Sequence, residues 1–259
     1  MSPVTVNAYV QQDQPPGVPP LSLTGERTLP DVPAENYWYQ RHLAVYEWIA
    51  ARVAGARVID MACGEGYGTA RLAQTAAAVT GLEANPEAFE HARLRYSGPG
   101  LRFERGMVEL YGEPGSYDAV TFLQTIEHLS DPEAVLRHFQ RLLAPGGVVY
   151  ITTPNLLTIA PPGAVKSDNP WHVKEYRAHE FRELCDAVFD SVELYGVYHS
   201  RKLKAHAVAL SLGWDAIHRR LGLTRLFYDR FTAGIGTSDF WISERRPLYR
   251  ALDFLAVCR

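Results

Sequence analysis

A dense run of glycines follows the first strongly apolar segment of the chain. Residues 58–61 are typical of a buried strand, and Gly64, Gly66 and Gly68 come directly after it, where a helical pattern begins. Glycine lets the backbone turn sharply and approach a ligand closely, with N–H groups directed at the ligand from the start of the helix. The spacing therefore predicts a nucleotide-binding loop.

Two carboxylates flank this loop. Asp60 lies near the end of the first predicted strand, and Glu83 ends the next one, 17 residues beyond Gly66. This is about the interval at which a strand-end carboxylate reaches the hydroxyls of an adenosine ribose. A fixed anion at the turn repels a pyrophosphate but stabilises a cation. The pair favours S-adenosylmethionine, which carries ammonium and sulfonium groups, over a dinucleotide, and an ordinary tight turn followed by a surface Glu is the alternative.

A further polar cluster follows the fourth predicted strand. Gln124, Glu127 and His128 have helical spacing and lie where the C-terminal ends of parallel strands meet a ligand. Histidine, with an ordinary pKa of about 6.5, is suited to take the proton of an acceptor hydroxyl at neutral pH. His128 is therefore the first candidate for a catalytic base, with Glu127 beside it. The alternative is a structural cap for the helix that begins near residue 131.

Alternating strand and helix patterns position these residues. Repeated units of this kind predict a parallel sheet with helices on both faces. The predicted strands lie at residues 57–61, 79–83, 101–104, 117–123, 148–152, 191–197 and 252–258. We expect an α/β fold with a doubly wound, mostly parallel, seven-stranded sheet of the Rossmann-like kind.

The ends of the chain depart from this alternation. Residues 1–36 hold seven of the 17 prolines and are interpreted as an N-terminal tail or clasp. Residues 37–199 and 250–259 form the predicted core. Residues 200–249 carry a helical pattern interrupted by glycines and are interpreted as a helical insertion that serves the acceptor or the contact of a homodimer.

Composition bounds the class of protein. The chain has 259 residues, of which 47% are hydrophobic and 21% charged, as in a folded globular protein. A formal net charge of −3 excludes a generally basic nucleic-acid binder but leaves room for a local basic patch. No window is apolar enough to span a bilayer. Three cysteines without paired spacing, and a start without the pattern of a secretion signal, predict a cytoplasmic protein.

From residue 57 to residue 155 the sequence resembles the class I S-adenosylmethionine-dependent methyltransferases, whose first motif is an acidic residue followed by alternating glycines. The resemblance implies that Asp60 and the glycine loop line the methionine part, that Glu83 holds the ribose and that residues 107–108 flank the adenine. Arg41 is a candidate for the methionine carboxylate. The full set of expected cofactor residues is Arg41, Asp60, Ala62, Gly64, Gly66, Gly68, Glu83, Ala84, Met107, Val108 and Gln124.

The residues from Gln124 to His128 are similar to the Glu-x-x-Glu-His pattern with which some methyltransferases of quinol-type hydroxyls bind a divalent cation. The resemblance implies Glu127, His128 and Gln124 as ligands of Mg²⁺, with Gln at the position of the first carboxylate. It also places residues 169–176 over the acceptor, where His172 is a second base or a metal ligand. A loop histidine bonded to backbone is the alternative for His172, and His199 is a weaker third candidate.

Four segments of the chain resemble actinobacterial methyltransferases linked to polymethylated polysaccharides of the methylglucose and methylmannose kind. These segments are residues 23–30, 35–42, 124–129 and 252–257. This implies O-methylation of a saccharide hydroxyl on a small-molecule or oligosaccharide acceptor. Tyr37, Trp38 and Tyr39 offer flat surfaces for such a ligand, or pack the leading helix on the sheet. Two other interpretations stay open: O-methylation of a phenolic or polyketide metabolite, and a cofactor-binding protein without catalysis.

Overall fold

The structure is a computed structural model that describes residue 11, residues 14–25, residues 27–222 and residues 224–259. The side chains at positions 215, 218, 225 and 226 lie outside this description. Part of the predicted N-terminal tail, residues 1–10, 12, 13 and 26, therefore falls outside the described residues. No helix in the described part of the chain combines the length and the apolar character that crossing a bilayer requires.

One mixed sheet forms the centre of the molecule. Its strands are β1 (Arg57–Met61), β2 (Ala78–Glu83), β3 (Leu101–Arg105), β4 (Tyr117–Leu123), β5 (Leu143–Pro154), β6 (Val192–His199), β7 (Phe240–Ser243) and β8 (Asp253–Cys258). The spatial order is β3-β2-β1-β4-β5-β8-β6-β7. The first five strands pair in parallel, whereas β8 runs antiparallel to both β5 and β6, and β7 antiparallel to β6. This is the predicted Rossmann-like α/β architecture.

Helices cover both faces of this sheet. The helices of the described chain are α1 (Asn36–Ala50), α2 (Tyr67–Leu72), α3 (Pro86–Arg95), α4 (Pro132–Leu142), α5 (Leu156–Ile159), α6 (Ala178–Asp186), α7 (Arg201–Ser211), α8 (Trp214–Arg220) and α9 (Thr224–Ala233). Buried side chains of α1, α2 and α7 pack in one core cluster, and those of α4 and α6 in another. Because each face of the sheet is covered by one of these cores, the central strands are apolar at most positions instead of alternating.

The number of strands differs from the sequence-based prediction. The structure has an eighth strand, β7, within residues 200–249, which the sequence analysis interpreted as helical. Its four residues extend the sheet by pairing with residues 196–199 of β6. A strand this short gives little periodicity, and its hydrogen bonds come from a partner about forty residues away, so the local pattern does not reveal it.

The N-terminal segment is docked on α3. Leu21, Leu29 and Val32 are buried together with Ala88, and Nδ1 of His91 donates to the carbonyl of Pro19 over 2.6 Å. The described part of the segment therefore packs as a clasp across the edge of the sheet at β2 and β3.

Candidate functional site

A cavity of about 870 Å³ lies where β1, β2, β4 and β5 end. The loop after β1 and the polar residues after β4 both line it. A volume in this range accommodates a nucleoside-sized ligand together with a second small molecule. Of the predicted site residues, the cavity is lined by Ala62, Gly64, Glu83, Ala84, Gln124, Glu127, His128 and His172.

Glu83 is held at the cavity wall by two backbone amides. The N–H of Gly64 donates to Oε2 of Glu83 over 2.9 Å, and the N–H of Asn85 donates to Oε1 over 2.8 Å. An ionised carboxylate has about four acceptor sites, so lone pairs remain for two ligand hydroxyls. The contact also fixes the glycine loop, in which Ala62 and Gly64 take left-handed backbone angles, with φ of 57° and 59°.

Gly66 and Gly68 do not line the cavity. A Cβ on Gly66 would lie 2.8 Å from Cβ of Ala92, and one on Gly68 would lie 2.1 Å from the ring of Tyr46. These two glycines therefore let α2 pack closely on its neighbours, a role that glycine also fills in dinucleotide-binding loops. The alternating spacing predicts the loop correctly, but it does not separate residues that face the ligand from residues that face the core.

Asp60 lies behind the cavity wall and is fully buried. It accepts hydrogen bonds from the hydroxyls of Thr69 and Thr121, both at 2.6 Å, and from Tyr46 at 3.2 Å. Burial raises the pKa of Asp60 to about 6, against the opposing effect of the three hydroxyl donors. Its predicted contact with the cofactor would thus require a change in this buried network, whose three donors the linear sequence does not single out.

Three other predicted cofactor residues also lie away from the cavity lining. Arg41 is buried and makes a bidentate ion pair with Asp253, with Nε 2.6 Å from Oδ2, so contact with a cofactor carboxylate would require breaking that pair. Met107 is half exposed and Val108 is buried in the core. Asp253 lies 212 residues beyond Arg41, a pairing that local patterns do not predict.

Glu127 is a buried carboxyl group that lines the cavity just after β4. Oε2 of Glu127 accepts from the hydroxyl of Thr153 over 3.1 Å, and its backbone carbonyl accepts from the amides of Val173 and Lys174. Burial raises the pKa of Glu127 to about 8, with the hydrogen bonds acting in the opposite direction. The side chain is therefore mostly protonated at neutral pH unless a positive charge lies beside it.

The rings of His128 and His172 lie edge to face, with centroids 5.0 Å apart. Nδ1 of His128 lies 2.9 Å from the carbonyl of Trp171, which only accepts, so Nδ1 carries the proton. Nδ1 of His172 lies 2.6 Å from Oε1 of Glu175, and its Nε2 lies 3.1 Å from the amide nitrogen of Asn169. In both imidazoles, Nδ1 thus donates to an oxygen, and this hydrogen bond orients the ring.

Glu127, His128 and His172 form a candidate metal centre. One ligand atom from each lies within 4.8 Å of the others. One carboxylate and two imidazoles form a donor set that suits Mn²⁺, Fe²⁺ or Zn²⁺ at least as well as Mg²⁺, which prefers oxygen ligands. Gln124, the third predicted ligand, lines the same cavity, but its side-chain amide donates to the hydroxyl of Thr152 over 3.1 Å.

Glu175 is a site residue that the sequence analysis missed. It is buried and accepts hydrogen bonds from the backbone amide and hydroxyl of Ser167 as well as from His172. Burial acts to raise its pKa, but these hydrogen bonds outweigh it and lower the pKa of Glu175. Its spacing of three residues from His172 is the signal that was available in the sequence.

Glu65 and His42 are two further cavity residues that the sequence did not single out. The carboxylate of Glu65 is buried and accepts from Tyr96 and from Nε2 of His91, which ties the glycine loop to α3 and the N-terminal clasp. Burial lowers the pKa of His42 to about 4, so this ring is neutral at neutral pH. His42 lies in a helical pattern and Glu65 in a turn, and neither pattern distinguishes a residue that faces a ligand from one that faces the core.

The aromatic residues of α1 divide between cavity and core. Trp38 lines the cavity and is 39% exposed, and Trp171 lines it from the segment before β6 and is 48% exposed. Tyr37 packs instead on Phe240, and its hydroxyl lies 2.7 Å from Nε2 of His199. His199 does not line the cavity, and burial lowers its pKa to about 4.

The comparisons with known proteins agree with this fold. Residues 59–151 match the model of a methyltransferase domain family. A probable S-adenosylmethionine-dependent methyltransferase of Mycolicibacterium smegmatis is 40% identical over 184 residues, which make up 71% of this chain and 71% of that protein. A ubiquinone biosynthesis O-methyltransferase of Xanthomonas campestris is 38% identical over 115 residues, or 42% of this chain and 48% of that protein.

A solved structure supports the fold. A methyltransferase of Thermotoga maritima, described as a possible histamine N-methyltransferase, matches with a TM-score of 0.59 and 16% identity over 88% of this chain and 94% of that chain. The fold and the cavity define a Rossmann-like protein with a nucleoside site at the ends of its parallel strands. The chain belongs to the S-adenosylmethionine-dependent methyltransferases, and its cofactor is S-adenosylmethionine.

Proposed function

We propose that the protein transfers a methyl group from S-adenosylmethionine to a saccharide hydroxyl. The observation that carries this proposal is the convergence of Glu127, His128 and His172 in a cavity that Gly64 and Glu83 also line. A protein that only binds the cofactor has no use for a buried acid and two oriented imidazoles at the methyl end.

The residues around the loop after β1 fit the cofactor. Glu83, fixed by two amides, accepts from the ribose hydroxyls, while the backbone at Ala62 and Gly64 approaches the methionine part. The cofactor supplies an electrophilic methyl group. The acceptor oxygen forms a bond to the methyl carbon as the carbon–sulfur bond breaks, and the bonding pair stays on sulfur. Alignment of oxygen and carbon at about 3–3.5 Å supplies much of the rate.

The acceptor hydroxyl can lose its proton by two routes. They differ in whether Nε2 of His128 accepts the proton or binds a cation. As a base, Nε2 takes the proton directly, since Nδ1 donates to Trp171. Alternatively, Glu127, His128 and His172 would hold a divalent cation, whose positive charge would lower the pKa of the hydroxyl and allow water to take its proton. One nitrogen cannot do both. We favour the cation route because Nδ1 of each ring donates to an oxygen, as in metal-binding histidines. A cation on His172 would replace the hydrogen bond that its Nε2 accepts from Asn169.

Support for a saccharide acceptor comes from the two half-exposed indoles, Trp38 and Trp171, which line the cavity. Flat aromatic faces pack on the C–H faces of sugars while the hydroxyls reach the polar end. A phenol is the second candidate acceptor, favoured by the partial relative named for ubiquinone biosynthesis.

A panel of acceptors tests the proposal. We expect methyl-labelled cofactor to pass its label to mannosides or glucosides, and replacement of His128 by Ala to reduce turnover at least about a hundredfold with cofactor affinity retained. Label on phenols alone would replace the saccharide assignment. Label on no acceptor, with the cofactor tightly bound, would favour a binding protein instead.

A further inference from the structure

The helices α7, α8 and α9 carry a charge opposite to that of the rest of the chain. Residues 201–233 contain seven Lys and Arg and two Asp, whereas the other 226 residues contain 19 basic and 27 acidic residues. Side chains in this segment that are both basic and exposed include Arg201, Lys204, Arg220 and Arg230. The molecule is therefore electrically polar, with its positive end on these helices.

The same helices expose large apolar side chains. Five of them lie within fourteen consecutive residues, and we call them the outer patch: Val208 (58% exposed), Leu210 (38%), Leu212 (79%), Ile217 (50%) and Leu221 (64%). Packing between α7 and α9 includes a contact of His206 with Phe231, whose ring centroids lie 4.1 Å apart, and the outer patch consists of exposed side chains instead. Exposed apolar groups rimmed by charge mark an interaction surface.

Basic and apolar side chains share one face of α7. Arg201, Lys204, Val208 and Leu212 recur at intervals of three or four residues, and all four are exposed. Residues with this spacing lie on one side of a helix. The next helix, α8, contacts α7 and adds Ile217, with Leu221 directly after its end. Cationic and aliphatic side chains therefore lie next to each other on this surface, as contact with an anionic and partly apolar boundary requires.

We propose that the outer patch binds the surface of an anionic lipid bilayer. The Leu and Ile side chains enter the boundary between headgroups and acyl chains, while the surrounding Lys and Arg contact anionic headgroups. The acidic remainder of the chain is repelled by the same surface, so the molecule binds with α7 and α8 towards the lipid.

Two other partners fit this surface less well. A nucleic acid offers negative phosphates but no apolar medium for five exposed aliphatic side chains. A second copy of the chain, joined about a two-fold axis through the outer patch, would bring two positively charged surfaces together. The bilayer alone satisfies both the charge and the apolar character.

Flotation of the whole protein with lipid vesicles tests the proposal. We expect binding to vesicles that contain phosphatidylglycerol, weaker binding to vesicles of phosphatidylcholine alone, and loss of binding as salt rises. A triple variant, Leu212→Ser with Ile217→Ser and Leu221→Ser, and a double variant, Arg201→Glu with Lys204→Glu, should each lower the partition coefficient at least about tenfold.

Matched controls lie elsewhere on the surface. Leu110 is 82% exposed and Arg105 is exposed, both outside residues 201–233, so Leu110→Ser and Arg105→Glu should leave vesicle binding unchanged. Calorimetry with S-adenosylmethionine verifies that each variant is folded. No binding to anionic vesicles, or an equal loss in the controls, would overturn the proposal. So would self-association, or binding of DNA in place of vesicles, that the same variants abolish.

Discussion

Glu83 shows how backbone contacts hold a carboxylate in place at the cavity wall. Two backbone amides from different loops hold its oxygens, which fixes the carboxylate without using its remaining lone pairs. The strand-end position of this residue could be read from the sequence. The amide donors could not, because they depend on the left-handed turn at Ala62 and Gly64.

Replacing Glu83 by Gln tests its contact with the ribose. Gln keeps the size of the side chain but loses the charge and places an N–H₂ group against amide donors or ligand hydroxyls. We expect the Kd for S-adenosylmethionine, measured by calorimetry, to rise at least about tenfold. Glu87→Gln, an exposed change on α3, serves as the control. Equal Kd values for the two variants would contradict the assignment.

The buried carboxyl of Asp60 makes stability depend on pH in a defined direction. Its pKa is raised from 3.8 to about 6, so the folded state holds a proton that the unfolded chain releases between these values. This group therefore favours the folded state fully below pH 4, and that advantage is lost as pH rises through 6. Relative to Asp60→Asn, the wild type should lose about 2 kcal/mol of unfolding free energy between pH 4 and pH 7.

Denaturant unfolding of both proteins at several pH values measures this difference, and a constant offset from the substitution itself cancels. Asp118 provides a control of opposite sign, because hydrogen bonds from Arg57 lower its pKa to about 2. The stability that Asp118 contributes is present above pH 4 and is lost as pH falls from 4 towards 2, so in that lower range Asp118→Asn should give a difference of opposite sign. A pH-independent difference for Asp60→Asn would show that its carboxyl is not perturbed.

At the scale of elements, the glycine loop positions α2 as well as the ligand. Tyr46 of α1 lies where a side chain on Gly68 would point, and the same tyrosine donates to Asp60. The close contact between α1 and α2 therefore depends on the absence of a side chain at position 68.

The variant Gly68→Ala should disturb this contact. Its Cβ would overlap the ring of Tyr46, so we expect a loss of about 1–3 kcal/mol in unfolding free energy, as is usual for overpacking. Gly98→Ala, where nothing lies within 4 Å of the added carbon, is the matched control and should change stability little. Thermal and denaturant unfolding compare the two, and equal stabilities would contradict the packing role.

Elements of the sheet differ in how far the sequence predicts them. β1 and β4 have five and seven residues that are mostly apolar and almost all buried, so their pattern is sufficient. β7 has four residues and is recognisable only through its pairing with β6. The ion pair between Arg41 and Asp253 is another contact that local patterns do not predict, because the two residues lie 212 positions apart in the sequence.

At the scale of the whole molecule, the fold determines where chemistry takes place but not which acceptor is used. The parallel strands bring the loops after β1, β2, β4 and β5 to one edge, which the sequence predicts correctly. Folds of this kind host many reactions, so function must be argued from the side chains at that edge. His172 reaches the site from a segment after β5, and only the folded chain shows that it meets His128 there.

The central claim is that Glu127, His128 and His172 together act on the acceptor hydroxyl. The most direct measurement is the rate at which label passes from methyl-labelled S-adenosylmethionine to the acceptor oxygen after exhaustive chelation, before and after a divalent cation is added back. We expect transfer to fall with chelation and to return with Mn²⁺ at a lower concentration than with Mg²⁺ in the wild type, but not in His172→Ala. Undiminished transfer by the chelated protein, together with equal transfer by His128→Ala, would contradict the account.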